Sequence, residues 1–162
     1  MMPNQQIKLK KLKKADIRLV ADWLEQTHVK KWYHSPDEWI TEMENKDGRF
    51  LFIHHFLVLF EGTPIGFCQY YDCFTAKEDW YQIDRAEEVF SIDYLIGDTR
   101  YLHKGYGKQI IQILTHHVRK NERNAQQIIV QPEKNNLASC NVLVSNQYIF
   151  DESRGYFYYN IS

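Results

Sequence analysis

A chain of 162 residues, 44% of them hydrophobic, is the length of one ordinary domain and can bury a core without metals or disulfides. Lysine plus arginine (20) nearly balances aspartate plus glutamate (21), so no overall field points to nucleic acid or to an anionic membrane. Three cysteines, Cys68, Cys73 and Cys140, are an odd number without CxxC spacing, which argues against a disulfide framework or zinc site and fits a reducing cytoplasm.

The amino-terminal stretch carries five lysines by Lys14 but no continuous apolar run, so neither a signal peptide nor a membrane span is expected there. Its KLKKLKK segment suits a basic surface patch, yet Ile7, Leu9 and Leu12 equally fit a first strand and its exit. Ala15 to Gln26 has Ile17, Val20, Ala21 and Leu24 at helical spacing, with Asp16 near the amino end. Ser35-Pro36-Asp37-Glu38 supplies a cap, a proline at the first helical position and early acids, which predicts a second helix to about Asn45. FLFIHHFLVLF is rich in aromatic and β-branched residues, and Glu61-Gly62-Thr63-Pro64 turns it into IGFCQYYDCF as a hairpin. EVFSIDYLIG is a third strand of this group. A helix follows from about Gly105 to Lys120, with Ile110, Ile111, Leu114 and Val118 on one side. QQIIVQP predicts a buried strand, NNLASCNVLVSN a helix and RGYFYYNI a last strand. The order β, α, α, three strands, α, β, α, β predicts a single α/β domain over 1–162 with a mixed sheet.

The stretch YLHKGYGKQ places Gly105 and Gly107 at the mouth of a helix. First-turn amides have no partner inside the helix, and the dipole there favours negative charge, so such a turn can hold a phosphate. Lys104 and Lys108 would add charge around it. The same two glycines also suit a plain tight turn. GxGxxG stops after two glycines and GxxxxGK[ST] is absent, so dinucleotide and P-loop readings lose support. His54-His55 and His116-His117 are adjacent pairs whose members point apart, which predicts no metal site.

At this turn the sequence resembles the GNAT superfamily of acetyl-CoA-dependent N-acetyltransferases. Leu102-His103-Lys104-Gly105-Tyr106-Gly107 is similar to their pyrophosphate turn, with Leu102 where a glutamine or arginine is usual. Three stretches resemble the aminoglycoside 6'-N-acetyltransferases within it: PIGFCQYYDC, SIDYLIGDTRYLHKGYG and QPEKNNLASCNVLVSNQYIF. The resemblance implies a GNAT fold: a mostly antiparallel central sheet, splayed where acetyl-CoA binds, with helices on both faces. It sets Leu102 to Lys108 around the pyrophosphate, with Asn136 and Ser139 also on the coenzyme. Leu95, Ile96 and Gly97 fall where strand amides meet the pantetheine arm and the thioester carbonyl, an oxygen whose developing charge an amide can stabilise.

The same resemblance gives Asp93 the acceptor amine. An alkylammonium cannot attack a thioester until it loses a proton, and a carboxylate beside it can orient it and help remove that proton. Asp93 also interrupts an apolar strand, where an unpaired buried charge is costly; strand alternation turning it to solvent is the other reading. Glu78 and Trp80 match an acid and a tryptophan that contact the drug, and Tyr71 and Asp72 join them as substrate-binding candidates. The surrounding loop, AKEDWYQIDRAEE, has five acids against two bases and would draw a cation. Trp23, Trp32 and Tyr33 would supply an aromatic wall, unless the tryptophans are core.

Two positions depart from the aminoglycoside pattern: Gln131 stands where an aspartate is frequent, and Leu143 where many GNAT enzymes have a general-acid tyrosine. Asn136, Ser139 and Leu143 are similar instead to the branch that acetylates the α-amine of ribosomal proteins. The expectation is therefore a cytoplasmic, metal-free N-acetyltransferase, monomer or homodimer, using acetyl-CoA on a small cationic amine such as an aminoglycoside. A protein amino terminus as acceptor, and a coenzyme A-binding sensor without chemistry, are the alternatives.

Overall fold

The computed structural model describes residues 6–161. Strand β1 (Ile7–Lys11) leads through a 3-10 turn into α1 (Ile17–Leu24), α2 (Thr27–Lys30) and α3 (Pro36–Glu44). The hairpin β2 (Ile53–Phe60) and β3 (Thr63–Asp72) is followed by a helical turn α4 (Cys73–Ala76), a loop and β4 (Val89–Ile96). Helix α5 (Tyr106–Asn121), β5 (Gln127–Val130), α6 (Leu137–Ser145), β6 (Ile149–Asp151) and β7 (Tyr156–Asn160) complete the chain.

The expected helices and strands form, together with α2, α4 and β6, which were not anticipated: each spans four residues or fewer, too short for a periodic signal. Pro36 starts α3 as its sequence predicts, but Ser35 sits at φ 57 and its side chain makes no capping bond. Phe50 to Phe52 lie in turns, so the second strand starts at Ile53.

Seven strands form one sheet in the order β1-β2-β3-β4-β5-β7-β6. All neighbours are antiparallel except β4 and β5, which run parallel. Helix α5 buries Ile110, Ile111, Leu114 and Val118 against one face, along with Phe56, Tyr70 and Ile92. Each such side chain stabilises by roughly 1.5–3 kcal/mol relative to exposure. On the opposite face α1 and α3 bury Val20, Trp23, Leu24 and Met43 against Leu57, Phe67 and Leu95.

The parallel pair creates the feature on which the rest depends. It is paired only from Val89 to Ser91, against Gln127 to Ile129. Strand β5 stops at Val130 while β4 continues to Ile96, so the last turn of β4 keeps β3 on one edge and a split on the other. This is the mixed sheet that the element order predicts, splayed and with helices on both faces as the GNAT resemblance implies.

Candidate active site

A cavity of about 470 Å³ opens at the split. Of the residues singled out from sequence, Trp32, Tyr71, Glu78, Trp80, Asp93, Asn136 and Ser139 all line it. Asp93 points to the α3 side of the sheet and accepts a hydrogen bond from Gln69 Nε2 at 3.0 Å. Burial raises its pKa to about 6, against the opposing pull of Gln69 and with a further push from the nearby Glu78 carboxylate. The side chain faces the cavity, not bulk solvent.

Glu78 accepts a hydrogen bond from the buried Tyr71 hydroxyl. Its loop is held by Tyr81, whose hydroxyl donates to the Cys73 carbonyl at 2.8 Å and accepts from the Glu78 amide at 3.2 Å. Trp80 stacks edge-on against Tyr81 and Tyr156, which fixes its ring at the rim. From across the cavity, α3 contributes Glu42, whose pKa rises to about 7 through burial and the proximity of Asp93, Glu78 and Glu38. Glu38, Glu42, Glu78 and Asp93 thus all line the cavity, with Trp32, Tyr33 and Trp39 beside them.

Two predicted substrate contacts fall elsewhere. Trp23 is 7% exposed and packs on the backbone of Gly97; a Cβ added at Gly97 would lie 2.0 Å from its ring. It is core, on the same helical stripe as Val20 and Leu24. Asp72 is 5% exposed, and its two carboxylate oxygens accept from Thr75 Oγ1 (2.7 Å) and the Glu87 amide (3.0 Å). It fastens the loop that carries Glu78 and does not reach the cavity.

Two of the three strand amides predicted to meet the coenzyme turn the other way. In a strand, consecutive residues turn their N–H and C=O groups to opposite edges. Gly97 N–H donates to the Ile65 carbonyl at 2.8 Å, so Gly97 and, two residues back, Leu95 belong to the β3 ladder. Of the three predicted amides only that of Ile96 turns to the split. Carbonyls on that same edge are engaged: Tyr94 accepts from the Tyr33 hydroxyl and Ile96 from His28 Nε2 at 2.9 Å. Neither His28 nor Tyr33 was assigned this role from sequence. A second bridge, His34 Nε2 to Glu133 Oε1 at 2.8 Å, spans the two sides of the cavity mouth.

At the far end of the split, Gly105 takes the left-handed φ of 82 at the cap of α5, in open space. A Cβ at Gly107 would stand 3.2 Å from the Tyr94 hydroxyl, so bulk there crowds the split itself. His103, Lys104, Gly105 and Lys108 are exposed, while the Tyr106 ring packs on Phe60 and Tyr101 and Leu102 closes the preceding turn. Asn136 caps α6 by accepting from the Ser139 amide at 3.2 Å, and Asn146 donates to the Lys108 carbonyl at 3.2 Å, tying α6 to the turn. Leu143 is 1% exposed and forms part of the cavity floor; Gln131 donates to the Gly155 carbonyl.

Among the described residues, no three histidines, cysteines or acids come together as metal ligands, and no helix is long and apolar enough to cross a membrane. The chain thus presents a split parallel pair, with a glycine-opened helix start at one end and a carboxylate, Asp93, at the other. The family model of the acetyltransferase (GNAT) domain matches residues 13–153. The chain belongs to this family, the enzymes that take acetyl groups from acetyl-CoA.

Comparison with individual proteins adds detail. The chain is 21% identical to aminoglycoside N(6')-acetyltransferase type 1 of Klebsiella pneumoniae over 141 residues, which cover 83% of this chain and 69% of that one. Its fold superposes with a TM-score of 0.81 on aminoglycoside acetyltransferase AAC(6')-Ib in complex with paromomycin and acetyl-CoA, at 18% identity, covering 96% of this chain and 94% of that one. A TM-score of 0.73 relates it to spermidine N-acetyltransferase of Vibrio cholerae in complex with CoA and spermine, at 13% identity over 97% and 96% of the two chains.

Proposed function

We propose that this protein transfers the acetyl group of acetyl-CoA to a primary amine of a small polycationic molecule, an aminoglycoside or a polyamine. The observation that carries this reading is the carboxylate lining of the cavity, Glu38, Glu42, Glu78 and Asp93, beside the split of β4 and β5. A molecule with several ammonium groups neutralises carboxylates that otherwise repel one another. Trp32 and Trp80 offer faces for sugar rings or aliphatic chain.

The fit for acetyl-CoA rests on this chain's geometry. The Ile96 amide turns to the split, Gly105 leaves the helix start uncovered, and the first amides of α5 lack intrahelical partners. When bound, the coenzyme supplies an acetyl thioester, an activated acyl group. Asp93, with a pKa near 6, is mostly ionised at neutral pH and positioned to orient an ammonium and take up its proton. Glu42 and Glu78 hold the remaining charges of the acceptor. Asn136 and Ser139 shape the wall of the split, and Leu143 offers no proton to a departing thiolate, which solvent would protonate.

Aminoglycosides and linear polyamines both satisfy this lining. The test is release of free thiol from acetyl-CoA with aminoglycosides, spermidine, amino acids and short peptides as acceptors. Turnover with the polycationic amines is expected. Turnover confined to peptides would select a protein amino terminus, and no thiol release with any amine would leave a coenzyme A-binding sensor.

A further inference from the structure

Behind Asp93 lies a row of polar side chains that the reaction as described does not use. Strand register sets His55 on β2 opposite Gln69 on β3, and Gln69 opposite Asp93 on β4. Paired residues project to the same face, so the three form one line running from the interior to the cavity. His55 is 4% exposed and Gln69 3% exposed. Gln69 Nε2 donates to Asp93 Oδ2 at 3.0 Å, but its Oε1 is buried without a donor, and both ring nitrogens of His55 are buried without a partner. Buried polar atoms are almost always satisfied, and here two sets of orphans stand opposite each other.

Their spacing is favourable. Because the Gln69 backbone groups turn to β4, the His55–Gln69 pair is of the narrow, non-hydrogen-bonded kind, with Cα atoms about 4.5 Å apart. A rotation of the imidazole, or one bridging water, joins its N–H to Gln69 Oε1. Resting on the reading of Asp93 as the acceptor-site carboxylate, we infer that His55 is a positioning residue that fixes the Gln69 carboxamide with its NH₂ toward Asp93.

The groups around His55 support a neutral ring. Phe67 lies 6.0 Å away between ring centroids, His54 precedes it in the chain, and Lys46 approaches from the segment after α3. Burial and those two basic neighbours lower its pKa to about 4, so at neutral pH the ring carries one N–H and offers it as a donor. With Oε1 held, the carboxamide cannot flip to set its oxygen against the Asp93 carboxylate. It equally resists flipping when Asp93 takes a proton, so the carboxylate returns to one orientation after each turnover.

The experiment is a carboxyl-carbon NMR titration of Asp93 in the wild type, His55→Leu and His55→Asn, each alone and with Gln69→Leu. In His55→Leu, Asp93 should become about three- to tenfold less acidic, half to one pH unit. His55→Asn, which keeps a donor, should restore the wild-type midpoint, and in the Gln69→Leu background His55→Leu should shift nothing further. Identical midpoints in wild type and His55→Leu, or an equal shift without Gln69, would overturn the inference. In turnover, kcat of His55→Leu should fall several-fold with KM for acetyl-CoA unchanged. The titration requires no turnover, so a wild type that acetylates no amine would sink the proposed function while leaving this test intact. Should His55→Leu not fold, nitrogen-detected NMR of the wild-type ring decides: a neutral ring with one slowly exchanging N–H is expected, and a ring that titrates near pH 6.5 contradicts it.

Discussion

The two ends of the split are built from different materials. On the proposed function, the recognising groups at the coenzyme end are backbone: the Ile96 amide, the open first turn of α5 and the bare Gly105. At the acceptor end they are side chains delivered by four separate segments, with Glu42 from α3, Tyr71 from β3, Glu78 from the loop after α4 and Asp93 from β4. A backbone site tolerates side-chain exchange. A side-chain site changes its ligand with each exchange, and its carboxylates also work against the fold by repelling one another out of bulk water.

The sharpest way to separate the two ends is Asp93→Asn. It should lower kcat about 10²–10⁴-fold, the usual range for losing a positioned acid–base group, with acetyl-CoA affinity by calorimetry unchanged. Next comes a pair of tryptophans. Trp23→Ala should destabilise the fold by about 3–5 kcal/mol in denaturant unfolding, whereas Trp32→Ala should raise acceptor KM with little loss of stability. Gly107→Val crowds the Tyr94 hydroxyl and should weaken acetyl-CoA binding about tenfold or more by calorimetry, while acceptor binding holds.

The smallest effect concerns stability and pH. Glu42 has a folded pKa raised to about 7 from an ordinary 4.5, so between those values the folded chain holds a proton that the unfolded chain releases. Full stability is present below the unfolded pKa and declines as pH rises through the folded one. Glu42→Gln removes that decline, and since the group is partly open to solvent its melting temperature should rise by only about 2–4 °C at pH 8 and not at all at pH 4. Acceptor KM should rise several-fold in the same variant.

The glycine turn and Asp93 stood out in the sequence because glycine spacing and a charge in an apolar strand are local signals. Asp93, Glu78, Trp32 and Trp80 indeed converge on one cavity, although they lie far apart in the chain. Trp23 misled because aromatic identity outweighed its place: with Ile17, Val20 and Leu24 it completes the buried stripe of α1. Asp72 misled because a strand-end carboxylate serves equally well to tie a loop. Glu42 carried no signal, since which acid of an exposed-looking helix turns inward depends on how that helix is rotated against the sheet; the place of Gln69 beside Asp93 depends on strand register. The amide assignment failed on a rule that needs no structure, the alternation of strand edges, once it is known which edge is free.

The central claim is that the carboxylate lining selects an acceptor by its several positive charges. Its most direct measurement is kcat/KM for a linear triamine against a monoamine of matched chain length, under identical ionic strength. The account predicts a preference for the triamine of about tenfold or more that shrinks as salt is raised. Equal values for the two amines, or a preference that salt does not alter, would contradict it.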